Sequence, residues 1–249
     1  MFRNLRPEKI TETLVQLQAR IEARFPAAGL ARVAAELIQL SKAAEARAAA
    51  IARPNVLIRT GAGLLILTGL FALGYLATIR QFNTTENNLF QAAQGVEAML
   101  QIVFFIGASV FFLVSFEDRI KRRRALTYLH ELRSIVHVVD MHQLTKDPSA
   151  LIEAGPSTPA SPVRTMTRFE LIRYLDYCSE LLSLSSKVAA IYSGASHDPV
   201  IGAAVNEIEQ LTTNLSHKIW QKIMILEEHP EAAKPVTEPL PPAPPFATA

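Results

Sequence analysis

VLIRTGAGLLILTGLFALGYLATI, residues Val56–Ile79, is the stretch on which the fold turns. From Thr60 to Ile79 it carries no charge, and as a helix that segment extends about 30 Å, the thickness of a bilayer core. A second uncharged run, AMLQIVFFIGASVFFLVSF, covers Ala98–Phe116. The polar loop between them, residues 80–97, is short, so spans 56–79 and 98–116 pair as a transmembrane helical hairpin with the loop outside. The competing reading is two buried helices of a soluble bundle. Soluble core helices rarely stay apolar on every face for about 18 residues, which favours the membrane.

Composition agrees with that choice. Of the 249 residues 19% are charged, against roughly 25% in an ordinary soluble domain, and the mean hydropathy is +0.19. Ten glycines and one cysteine exclude collagen-like and disulfide-scaffold classes, and the abundance of Leu, Ile, Val and Phe excludes a wholly disordered chain.

The flanks set the orientation. Lys42, Arg47, Arg53 and Arg59 precede the first span, and Arg119, Lys121, Arg122, Arg123 and Arg124 follow the second, whereas the loop carries Arg80, Glu86 and Glu97. Basic residues beside a span resist translocation, so both termini are expected in the cytoplasm. MFRNLRPEKI has no apolar core of the kind a signal peptide needs, which makes the first span an uncleaved internal anchor. The collar Arg119 to Arg124 also offers charge to lipid headgroups, at about 1 kcal/mol per basic residue near an anionic surface.

Outside the hairpin the periodicity is helical. Ile10, Leu14, Leu17 and Ile21 recur at 4-3-4 spacing, and Leu30, Val33, Leu37 and Leu40 repeat the pattern after Pro26 and Gly29, which predicts two amphipathic helices within residues 1–55. The second is expected to run toward Arg53, where Pro54 ends or bends it. Beyond the second span, Leu129, Leu132, Val136 and Val139 keep heptad spacing on a helix that continues out of the membrane to about His142. Residues 148–166 hold four prolines and read as a flexible linker. Thr167 and Glu170 then form a capping-box pattern opening a helix with Leu171, Leu175, Cys178 and Leu182 in one row. Asp198-Pro199 opens a last helix carrying Ile201, Val205, Ile208, Leu215, Ile219 and Leu226. The fold expected is therefore all-α: the hairpin, the N-terminal helices and a cytoplasmic three-helix bundle over 117–228, which the two N-terminal helices can join. Seven of the 15 prolines fall in 229–249, a disordered proline-rich tail.

Chemistry-bearing patterns are few. His130 and His137 lie 20° apart on a helical wheel with Asp140 about 60° aside, the one grouping that could hold a metal with help from Asp176, Glu180, Glu207 or His217 on another helix. The same imidazoles also fit a solvated stripe opposite the apolar row. No Gly-x-Ser-x-Gly elbow, phosphate-cradling glycine loop or His-Glu-x-x-His is present, so no catalytic residue and no cofactor are expected. Residues 164–229 are net acidic and show no interleaved aromatics, which argues against a nucleic-acid partner. Within the spans, Gly69 and Ala72 with Gly107, Ala108 and Ser109 permit close helix packing, inside the hairpin or between protomers. Neither span has an ionisable residue near its middle.

LHELRSIVHVVDMHQLTKDP (Leu129–Pro148) and AAVNEIEQLTTNLSHKIWQKIMIL (Ala203–Leu226) resemble segments of an uncharacterised family of bacterial two-pass inner-membrane proteins. The resemblance covers about Val56 to Leu226, and His142–Pro148 is its most specific part. It implies a bacterial inner-membrane location and a cytoplasmic helical domain, and it carries no activity. Three functions are thereby compared. The first is a non-enzymatic scaffold that contacts membrane lipids, self-associates and takes a cytoplasmic protein partner. The second is an oligomeric pore lined by residues such as Thr68, Tyr75, Thr78, Gln101 and Ser109. The third is a metal-dependent site on His130, His137 and Asp140. The scaffold is the leading expectation.

Overall fold

In the computed structural model, residues 5–26, 28–82, 89–148, 151 and 165–229 are described. Most of the linker, the tip of the loop at 83–88 and the tail from 230 lie outside them. Every regular element among the described residues is helical: α1 (Pro7–Arg24), α2 (Gly29–Ala52), α3 (Val56–Phe82), α4 (Leu89–Leu144), α5 (Arg168–Ala195) and α6 (Pro199–Glu228).

Local chemistry accounts for the boundaries. Pro7 occupies the first turn of α1, where a missing N–H costs nothing, and Glu8 and Arg24 complement the helix dipole at either end. Helix α2 stops at Ala52 because Pro54 pushes Arg53 into extended backbone, φ −70° and ψ 136°. Asn55 then opens α3, its Oδ1 accepting the Leu57 N–H at 3.2 Å. The Thr167–Glu170 capping box and the Asp198 cap form as the sequence indicates. With no proline between Leu89 and Leu144, α4 runs unbroken for 56 residues, about 84 Å.

One apolar core joins α1, α2, the distal half of α4, α5 and α6. Its rows are those the periodicity marks: Ile10, Leu14, Leu17 and Ile21 on α1, Leu129, Leu132, Val136 and Val139 on α4, and Ile201 through Leu226 on α6. Helix α5 lies at the centre. It packs against α1, α2, α4 and α6, so it buries Tyr174, Tyr177, Leu181, Leu184 and Val188 beside the expected row. The expected three-helix grouping is thus part of a five-helix unit, because the apolar faces of α1 and α2 close the sides of α5 that α4 and α6 leave open. Polar groups inside are matched. Thr11 and Ser41 share a hydrogen bond of 2.7 Å across α1 and α2, and no buried side-chain nitrogen or oxygen among the described residues lacks a partner.

Helix α3 and the first half of α4 pack against each other and contribute nothing to that core. Each is long and apolar enough to cross a membrane. Of their most apolar 18-residue windows, 6% and 0% are buried. A core helix of a soluble protein would be mostly buried, and these two are not. Phe104, Phe105, Phe111, Phe112 and Phe116 are all exposed. The hydroxyls of Thr60, Thr68 and Thr78 bond back to the carbonyls of Leu57, Leu64 and Tyr75, which satisfies them within the helix.

Candidate functional site

Three polar regions stand out along α4, and the sequence named members of each. Nearest the apolar hairpin is a junction built on Glu117. Its side chain is 7% exposed and accepts the Asn55 N–H at 2.9 Å and Lys121 Nζ at 2.7 Å, with Arg59 Nε at 4.0 Å. The Lys121 ammonium and the Asn55 N–H together hold the Glu117 carboxyl below the usual range despite its burial. This carboxylate ties the α2–α3 turn to α4. Nothing in the local pattern around Glu117 announces it; an acidic residue abutting an apolar span with cations at Arg59 and Lys121 is the one signal the sequence offers.

The collar divides into two kinds of residue. Lys121 belongs to Glu117, and Arg122 Nε donates to Asp198 Oδ2 at 2.7 Å, bracing the N-terminus of α6. Burial alone would raise the Asp198 carboxyl, but Arg122 and the Val200 N–H outweigh it and keep it below its ordinary value. Arg119, Arg123 and Arg124 are exposed and make no ion pair among the described residues. Two of the five collar cations therefore serve the bundle, and three remain open to the surroundings.

Packing in the hairpin is equally selective. Gly69 is buried, and a Cβ placed there would overlap Ile106 Cδ1. Ala72 and Ser109 are half-buried, whereas Gly107 and Ala108 are exposed, and a Cβ on Gly107 would meet open space. The structure brings Gly69 into the seam and leaves Gly107 and Ala108 on the outer surface.

His130 and His137 are exposed on the outer face of α4, as the helical wheel places them. Asp140 turns instead toward the core and accepts Gln143 Nε2 at 2.6 Å. Glu180 and Glu207, the acids proposed to join them, are paired with Arg20 at 2.6 Å and Arg133 at 3.1 Å. Among the described residues no three His, Cys, Asp or Glu side chains gather as metal donors.

The third region surrounds the end of α4, and its central members escaped the motif search. Gln143, 2% exposed, occupies the next position of the heptad row after Val139, so extending that row by four residues would have found it. Lys222 Nζ donates to Gln143 Oε1 at 2.7 Å and to its carbonyl at 2.9 Å, closing the last turn of α4. Burial lowers the Lys222 ammonium, with Asp147 and Asp140 opposing the shift. Replacing Lys222 by methionine leaves the buried Gln143 Oε1 without its donor, while the Gln143 carbonyl keeps the Lys146 N–H at 3.1 Å. The change is expected to cost about 1–2 kcal/mol in a denaturant melt, most of it restored in a Lys222→Met/Gln143→Leu pair.

His142 lies beside this network, half-buried against Gly29, with Nδ1 3.3 Å from the Tyr174 hydroxyl. Burial, then Lys146 and Arg32, lower its pKa from 6.5, and burial raises the Tyr174 phenol. The unfolded chain therefore binds a proton that the folded one resists, so stability should fall as pH drops through about 6.5. A second decline, from Glu117 and Asp198, begins below their ordinary values of 4.5 and 3.8. Melting temperature against pH should show both limbs, and His142→Gln should erase only the upper one. Cys178, next to these groups, is buried and its thiol is pushed up to about 12 by burial, which leaves it unreactive as a thiolate.

Comparison with protein-family models, with curated proteins and with solved structures returns no match to this chain.

Proposed function

We propose that this chain is a two-pass protein of a bacterial inner membrane whose hairpin holds a helical module at the cytoplasmic face, and that the module is a non-enzymatic scaffold that self-associates and engages a protein partner. One observation carries the reading. Two long apolar helices leave almost every residue of their most apolar windows outside a core, and one of them continues without a break into a well-packed bundle. Exposed Arg119, Arg123 and Arg124 at the boundary supply the cations that favour a cytoplasmic, headgroup-facing side.

Membranes from expressing cells test the location: the protein should resist carbonate extraction. A cysteine at Asn87 should react with an impermeant maleimide on intact cells after permeabilisation of the outer membrane, while one at Lys218 should react only after lysis. Extraction by carbonate, or the reverse labelling pattern, overturns the anchor. Cross-linking in native membranes tests the scaffold, and a bare monomer with no partner recovered counts against it. Reconstituted protein that conducts ions would instead favour the oligomeric pore.

A further inference from the structure

A cavity of about 520 Å³ opens where the start of α2, the end of α4 and the start of α5 meet. Its chemistry is lopsided. Arg24 and Lys146 line it, yet neither forms an ion pair among the described residues; Arg24 lies over the Phe169 ring at 5.1 Å and Lys146 over the Tyr174 ring at 5.1 Å. The one carboxylate in the wall, Glu170, accepts the Thr167 N–H and hydroxyl in the capping box and is drawn on only weakly by Arg24, with which it makes no ion pair. His142 and the hydroxyl-bearing Thr145, Thr165 and Tyr174 add donors, and α2 begins at this wall without a side-chain cap. Phe25 and Met166 supply an apolar floor beside the cations. Cations stacked on aromatic faces keep charge available to an anion entering the open cavity.

We propose that this cavity binds a small organic phosphate, its anion between Lys146 and Arg24 and its carbon portion over Phe25 and Met166. The proposal goes beyond the scaffold reading, since it gives the module a soluble ligand. His142 lies 26 residues past Phe116 along the unbroken α4, about 39 Å from the end of the span. That reach separates the cavity from headgroups of the membrane in which the same chain is anchored.

Phenyl phosphate serves as the probe, titrated into full-length protein in phosphatidylcholine nanodiscs and followed by calorimetry and by the imidazole resonance of His142. The expected result is saturable binding below roughly 1 mM, weaker binding of inorganic phosphate, and none of benzyl alcohol. Lys146→Ala and Arg24→Ala should each weaken phenyl phosphate by about tenfold, with melting temperatures near that of the parent, while Lys218→Ala changes nothing. Nanodiscs containing phosphatidylglycerol should leave the His142 resonance where it was. Absence of saturable binding, binding indifferent to both cation variants, or a His142 shift produced by phosphatidylglycerol alone overturns the proposal.

Discussion

Glu117→Ala is expected to lower the stability of the bundle by about 3 kcal/mol, a melting temperature roughly 8 °C lower in detergent or nanodiscs. The size follows from what the carboxylate holds. It accepts the N–H of Asn55, the residue that caps α3, and an ammonium, Lys121, that is itself largely covered. Truncation leaves a cation beside apolar surface without its counter-charge, and removing one member of a covered pair costs more than the pair itself contributes. Glu117→Gln keeps an oxygen for the Asn55 N–H but surrenders the charge, so it should fall between the parent and alanine. Lowering the pH should mimic the glutamine variant, because the Glu117 carboxyl titrates below its ordinary value in the fold and its contribution is present above about pH 4.5 and lost in more acid solution. A melt of Glu117→Ala within about 1 °C of the parent would show that the α2–α3 turn is fixed by packing alone.

This junction also marks where sequence reading succeeds and where it stops. Periodicity is a one-dimensional property, and it names the buried residues of α1 and α6 because those helices present one face to the core. It understates α5, whose burial is spread around the helix because four neighbours surround it. Caps are local too, so the Thr167–Glu170 box and the Asp198–Pro199 start were readable. Glu117 to Asn55 and Lys222 to Gln143 join positions 62 and 79 apart, and no spacing rule reaches that far. The collar shows the same limit in another form: five cations look alike in sequence, and only their partners on α4 and α6 separate Lys121 and Arg122 from Arg119, Arg123 and Arg124. His130 and His137 share a wheel position, but sharing a face places residues without supplying the second helix that a metal site needs.

Gly69→Leu is expected to be the most disruptive single change in the hairpin, at about 3 kcal/mol, while Gly107→Leu should leave the hairpin of one protomer intact. Both are glycines of apolar helices, and they differ in what a side chain would meet: Ile106 at Gly69, open space at Gly107. Ile106 is the end of a flexible side chain, so part of the overlap can be relieved by a rotamer change, but a leucine brings three further carbons into a contact already closed at Cβ. Adding Ile106→Ala to Gly69→Leu should recover much of the loss, and a double-mutant cycle in nanodiscs would read the coupling directly. Additive effects of the two substitutions would place the seam elsewhere. The same comparison bears on self-association. Gly107 and Ala108 are small and exposed, and a Cβ on Gly107 meets no described residue, so this face is the one to test for contact with a second protomer. Leucine at 107 that shifts the cross-linked species from oligomer to monomer, with the melting temperature of the bundle unchanged, assigns that face to the contact between copies; an unchanged oligomer assigns it to lipid and moves the association to the bundle.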